Sequence, residues 1–356
     1  MASKFIYLIG LVGAFAPALG ASIEGLRQTS LPLSSRIIAQ MNQSDAFVEN
    51  IAVRSNGDLV VTLLNPSASV YTVKEPYSDS PITSLVHTFE GANGTTGISE
   101  TRPDTLVVVA ALIQDAAMPL PNTTWLWELK LGDGDQQATA RRMVHIPEAR
   151  LINGIISVPG SDSTVLAADS QLGVIFRVDV ATSEYKVILD TPELKLTPEA
   201  SIQLGVNGLK ANNTSWIFHQ IRDGYAYLSN SNLFSIYRFR IDEQGYPIQG
   251  AKVEKVVTIE GVSFVDDFTF DRHGNIWVAT SINNTVVTVG KDGRQSVVVG
   301  SLTELTVAGD SSLAFGKTSI DQDILYVTTS GAIHAPVNGT ITEPGKVVAV
   351  DARGYY

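Results

Sequence analysis

Short apolar runs rich in Val, Ile, Thr and aromatic residues alternate along this chain with turns of Gly, Asn and Asp, and almost no stretch carries a helical period. The runs recur as a unit. Each begins with a polar residue that opens an apolar strand, then a turn, a second apolar strand, a polar loop and a third strand such as "GVIFRVDV" or "FSIYRFRI". The units open at Glu49, Thr96, Asn153, Asn207, Asp266 and Ser311, spaced by 47, 57, 54, 59 and 45 residues. A period near 50 built from strands predicts propeller blades, and six openers predict an all-β, six-bladed β-propeller. "SRIIAQM" near residue 38 and the C-terminal "KVVAVDA" are the two segments available to close the ring.

In a propeller the innermost strand of each blade runs along the central channel, so the six openers face its mouth. Asn and Asp often serve only as turn residues entering a strand, and that reading suits any one position. Two carboxylates and two carboxamides on one predicted ring point instead to a polar site. Asp266 then meets water or a cation at the mouth, and Asp267, by strand alternation, points the other way.

The loops joining second to third strands share the face of the mouth, and the two long ones suit a rim or lid. Met118, Leu120, Phe234 and Ile282 in these loops, with Leu151 and Phe264 beside the openers, form the candidate apolar rim, although Met and Leu in loops also pack on the blade beneath. Asp169 follows a second strand and joins the candidate substrate-binding set, and Asn230 holds the matching place in the fourth blade. His219 and Trp216 fall in an insert on the opposite face, where a packing or surface role is expected. His334, in a mouth-side loop, is the candidate proton donor. No histidine pair has metal-ligand spacing.

Composition narrows the function. The net charge of −11 argues against nucleic acid and anionic membranes as partners. Lys4 followed by "FIYLIGLVGAFAPALG" reads as a secretory signal over residues 1–20, leaving one propeller domain over 21–356; the run is short for a membrane span, and no later segment is long and apolar enough to be one. N-x-S/T acceptors at Asn42, Asn93, Asn122, Asn212, Asn213, Asn283 and Asn338 fit a secreted, glycosylated protein. With no cysteine, neither a disulfide nor a thiolate contributes, and the fold rests on its core. Nothing in the sequence indicates an oligomeric state.

The Glu opening the first blade, "NG" at Asn153, "NGL" at Asn207 and "DDFTFDRHGNIWVAT" at Asp266 resemble the SMP-30/gluconolactonase family of six-bladed propellers. That resemblance implies a divalent cation, Ca²⁺ or Mg²⁺, held by Glu49, Asn207 and Asp266 with Asn153 beside it, and lactone hydrolysis with Asp266 as base. Two departures matter: the Asp-Ser pair kept as Asp169-Ser170 in the third blade is Asn230-Ser231 in the fourth, and an arginine is replaced by an apolar residue. Leu151 stands where the family's lactonases often carry an arginine for a polar sugar acid. "NGIISVPGSDSTVLAADSQLGVIFRVD" and "YLSNSNLFSIYRFRID" are in turn similar to the fungal hetero-Diels–Alderases of tropolone–sesquiterpenoid biosynthesis. This second resemblance implies that a tropolone o-quinone methide adds across an alkene of a humulene-type terpene. Cycloaddition requires no cofactor. It requires two apolar small molecules held together, with Asn153, Asn207 and Asn230 as amide donors and an acid, Asp266 or His334, to assist loss of water. Three classes follow: pericyclic enzyme, the preferred expectation; metal-dependent lactonase; and non-catalytic binding propeller.

Overall fold

The computed structural model describes residues 30–114, 118–132, 137–211 and 224–355. The signal-like segment, Asn212, Asn213, Trp216 and His219 lie outside them. Among the described residues the regular elements are strands apart from a one-turn 3-10 helix at Pro192–Leu194, and no described helix is long and apolar enough to cross a membrane.

Six four-stranded antiparallel sheets form the blades of a β-propeller. Their innermost strands are Phe47–Val53, Gly94–Arg102, Ile152–Ser157, Val206–Ala211, Phe268–Phe270 and Asp310–Phe315. Both candidate closing segments are used. Ser35–Gln40 pairs with Lys346–Asp351 and becomes the outer strand of the sixth blade, so the chain's two ends share one sheet.

Second strands such as "LVVTLL" and "TLVVVAA" are apolar at consecutive positions because each blade is covered on both faces by its neighbours. One apolar cluster fills each blade interface: Val48, Leu63 and Tyr326 between the sixth and first blades, for example, and Trp277, Leu313 and Val327 between the fifth and sixth. Outer strands are far less covered, as in Ile82–Thr88, whose first four residues are exposed.

The inner strands meet at a narrow waist. Just after the opener, pairing with the second strand shifts register in five of the six blades, for example between Val48 and Ile51 and between Val206 and Leu209. Hydroxyls of the second strand fill the gap. Thr62 accepts the Asn50 N–H at 3.0 Å and donates to the Thr96 carbonyl of the next blade at 2.7 Å. Ser229 likewise accepts from Gly208 and donates to the Asp266 carbonyl at 2.6 Å. Side chains on the residue after the opener are limited by the same closeness. A Cβ on Gly97 or Gly154 would lie 2.4 Å from the next opener's carbonyl, and one on Gly208 would lie 2.1 Å from Asp267 Oδ1.

The "DRHGN" turn has a structural explanation. Asp271 accepts the backbone N–H of His273 and Asn275, and its second oxygen takes the Trp277 indole N–H at 3.1 Å.

Because the waist has no room for a methyl group, Gly208→Ala is expected to cost about 1–3 kcal/mol of stability through overpacking. Urea denaturation of the variant against the parent chain measures it.

Candidate functional site

A cavity of about 340 Å³ opens at the mouth of the channel, within the size range of small-molecule sites. The openers are not equivalent within it. Glu49, Asn153 and Asp266, from the first, third and fifth blades, line it together with Thr96. The openers of the even blades bind their neighbours, Thr96 while also lining the cavity. Thr96 Oγ1 donates to the Ile152 carbonyl at 2.6 Å, Ser311 Oγ to the Val48 carbonyl at 2.6 Å, and Asn207 Nδ2 to Asp266 Oδ1 at 2.9 Å.

The residue two places before each opener follows the same alternation. Phe47, Leu151 and Phe264 precede the odd openers and line the cavity, whereas Gly94, Gly205 and Gly309 precede the even ones. These glycines stand where backbone or side chains crowd in: a Cβ would lie 2.5 Å from Ile113, 2.2 Å from the Leu194 carbonyl and 2.1 Å from Ser330. Each odd blade therefore delivers one large apolar and one polar side chain.

Leu64, Met118, Ile202, Leu204 and Ile282 extend the apolar wall, and Gln171, Ser201, Gln203 and Ser281 supply polar edges. His334 stands at the rim with its ring 5.6 Å from that of Phe47. Desolvation lowers its imidazole pKa.

Five expected residues are absent from the lining: Asn207, buried beside Asp266, and four more. Asp169 is fully buried behind the wall, where its carboxylate takes the backbone N–H of Arg150, Leu151, Gln171 and Leu172 and so fixes two lining residues. Asn230 is also fully buried, donating to the carbonyls of Glu193 and Lys195 at 2.9 and 3.0 Å. Phe234 packs into the interface between the fourth and fifth blades, and Leu120 is exposed outside the lining. Phe47, Leu64, Gln171 and the Ser201–Leu204 segment had not been anticipated. Phe47 was legible, since it keeps the offset of Leu151 and Phe264 from their openers.

Two buried acids form the floor. Burial pushes Glu49 from 4.5 to about 7, against the opposing effect of its hydrogen bond with Asn153, and the charge of Asp267 adds to the rise. Asp266 is raised well above the usual carboxylate range, first by burial and then by Glu49, Asp267 and Asp310, with Asn207 favouring the charged form. Asp267 itself turns into the channel beneath, where Oδ2 pairs with Lys210 at 2.7 Å and takes the Ser312 hydroxyl. It fills the space beside Gly208 and underlies the acid pair.

A divalent cation is chemically compatible with this floor. Asn207 Oδ1 is buried without a hydrogen-bond partner while its Nδ2 is bonded to Asp266, and Glu49, Asn153, Asn207 and Asp266 each carry an oxygen of the hard kind suited to Ca²⁺ or Mg²⁺. The set comprises two carboxyls and two carboxamides. No group of three or more His, Cys, Asp or Glu side chains able to hold a metal occurs among the described residues.

A family model described as the SMP-30/Gluconolactonase/LRE-like region matches residues 190–331. A Phoma sp. protein named "Putative hetero-Diels-Alderase" is 31% identical over 343 residues, covering 90% of this chain and 93% of its own. A similarly named protein of Sarocladium schorii is 28% identical, over 91% of this chain and 85% of its own. Among solved structures, a luciferin-regenerating enzyme aligns over 90% of this chain and 96% of its own with a TM-score of 0.60 at 14% identity. The calcium-binding protein regucalcin of Agrobacterium tumefaciens aligns over 91% and 96% with a TM-score of 0.57 at 13% identity. At these identities the two structures establish a shared fold.

A carboxyl whose pKa rises on folding stabilises the native state fully below its unfolded pKa, and that contribution is lost as pH climbs through the folded value. For Glu49 the window runs from 4.5 to about 7. With chelator present, the parent chain is expected to lose up to about 3 kcal/mol across this window relative to Glu49→Gln. Denaturation midpoints of both proteins measured through the window check this.

Proposed function

The chain belongs to the SMP-30/gluconolactonase/LRE-like propeller family, and on that premise we propose that it is a biosynthetic enzyme performing a hetero-Diels–Alder cycloaddition between a tropolone o-quinone methide and a humulene-type sesquiterpene. The observation that carries this reading is the composition of the cavity: apolar walls contributed by Phe47, Leu64, Met118, Leu151, Phe264 and Ile282 over a floor of buried, hydrogen-bonding acids and Asn153. The Phoma and Sarocladium relatives bear names of the same reaction class.

The chemistry suits these groups. A hydroxymethyl tropolone loses water to give the quinone methide: the carbon–oxygen bond breaks, the leaving hydroxyl takes a proton, and the ring hydroxyl releases one. Asp266, whose pKa burial and neighbouring charge raise, is the group to protonate the leaving hydroxyl. The quinone methide then forms two bonds to the alkene, one from its exocyclic carbon and one from its carbonyl oxygen, and the seven-membered ring recovers its tropolone conjugation. A hydrogen bond from Asn153, or from Asp266 once it has taken up the proton released by the ring hydroxyl, to that oxygen makes the heterodiene more electrophilic. Orientation of two bound partners can supply roughly 7–11 kcal/mol of such a barrier in favourable cases. Apolar walls exclude water that would hydrate the quinone methide.

A second reading, lactone hydrolysis, is favoured by one observation, the unpartnered Asn207 Oδ1 among Glu49, Asn153 and Asp266. These four would hold Ca²⁺ or Mg²⁺, which when bound would supply Lewis acidity toward a carbonyl. Leu151 in the wall counts against a sugar lactone, because an apolar side chain offers a hydrophilic acid no hydrogen bond.

Passage through the secretory route accompanies the primary reading. Asn42, Asn93, Asn122 and Asn338 are exposed, and all four lie in connections on the mouth face.

Two tests follow. With a tropolone o-quinone methide precursor and humulene, the protein should form one enantiomer of adduct faster than the uncatalysed reaction, in EDTA as well as without it. Leu151→Arg should reduce that rate at least about ten-fold by putting a charge in the apolar wall. EDTA-sensitive cleavage of lactones without adduct formation would establish the second reading instead. Separately, glycosidase treatment of protein secreted from a fungal host should lower its mass, and Asn122→Gln with Asn338→Gln should remove part of that shift.

A further inference from the structure

The wall of the cavity between the third and fourth blades is built differently from the rest. Phe47, Leu151 and Phe264 sit two residues ahead of an inner-strand opener, but Ile202 and Leu204 come from an irregular connection. Such a segment would hold no fixed side-chain geometry by itself. Here its backbone is clasped from neighbouring loops. Asn232 accepts the Leu204 N–H through Oδ1 at 2.9 Å and donates through Nδ2 to the Ile202 carbonyl at 2.7 Å, gripping both ends of a three-residue span. Gln171 donates through Nε2 to the carbonyl of Gln203, the residue between them. Asn232 is itself set by Asn230, whose Oδ1 accepts the Asn232 N–H at 3.1 Å while its amide holds Glu193 and Lys195 upstream. Beyond the span, the Gly205 N–H donates to the Ser170 carbonyl at 2.8 Å.

This arrangement presents two aliphatic side chains to the cavity while satisfying the backbone behind them, and it leaves Ser201 and Gln203 exposed at the edge. We propose that Ser201–Leu204 is the specificity-determining wall, with Ile202 and Leu204 receiving the hydrocarbon face of the apolar substrate and Asn232 acting as a positioning residue for both. The identity of that substrate as the terpene partner rests on the cycloaddition reading; the wall's role as an apolar subsite does not. A polar substrate would gain nothing from Ile202 and Leu204, whereas a hydrocarbon that makes no hydrogen bonds can be oriented only by the shape of such a surface.

The test separates the two layers. Binding is measured with the neutral fluorescent probe N-phenyl-1-naphthylamine and its displacement by humulene, and turnover is measured separately by adduct enantiomer ratio. Ile202→Ala and Leu204→Ala should each weaken humulene displacement about ten-fold or more. Ile202→Phe should change the enantiomer ratio, giving a response to side-chain size that general destabilisation would not produce. Asn232→Ala should raise KM for the terpene and alter the enantiomer ratio with kcat largely retained, at a melting temperature close to that of the parent. Humulene displacement and product ratio unchanged in all four variants would overturn the proposal. Displacement that responds as expected, without any adduct in the parent protein, would sustain the subsite and overturn the cycloaddition reading.

Discussion

The close approach of six inner strands at the channel waist is the constraint on which the rest of the structure depends. Strands this near cannot keep an ordinary ladder, so the pairing shifts register after the opener and Thr62 and Ser229 bridge from one blade to the next. Where backbone meets backbone, only glycine fits, as at Gly97 and Gly154. The bridges satisfy the N–H and carbonyl groups that the register shift would otherwise leave unpaired in a buried place, where each would be costly. The joining of Ser35–Gln40 to Lys346–Asp351 then holds the ring shut without a disulfide.

The same crowding organises the chemistry. Six blades around a tight waist do not each have room to send a side chain upward, and here alternate blades divide the task. Glycines before the openers of the even blades admit neighbouring backbone, and the even openers spend their side chains on hydrogen bonds to adjacent blades. The odd blades are left to provide Phe47 with Glu49, Leu151 with Asn153, and Phe264 with Asp266. An apolar wall and a polar floor thus arise from one repeated offset of two residues.

Electrostatics at the floor follow from where that offset places two acids. Glu49 and Asp266 are far apart in sequence, yet burial denies both the water that would stabilise their charges, and the charge of Glu49 further disfavours ionisation of Asp266. Asp267 beneath them is ion-paired with Lys210, yet its charge still raises both acids. The floor thus gathers buried oxygen-bearing groups beneath an apolar wall.

Sequence alone determined the architecture, because strand periodicity, turn residues and a recurring opener are local signals that repeat six times. It also put Glu49, Asn153, Asp266, Leu151, Met118, Phe264, Ile282 and His334 at the mouth, since their positions follow from their place within a blade. What only the tertiary structure decided was the direction of side chains that share such a place. Asp169 and Asn230 occupy mouth-side positions yet turn back to serve backbone groups, because the N–H and carbonyl groups they satisfy belong to loops from other parts of the chain. The Ser201–Leu204 wall was invisible for the same reason. It has no periodicity of its own, and its shape is set by amides of Gln171 and Asn232 that reach it only after the third and fourth blades have packed together.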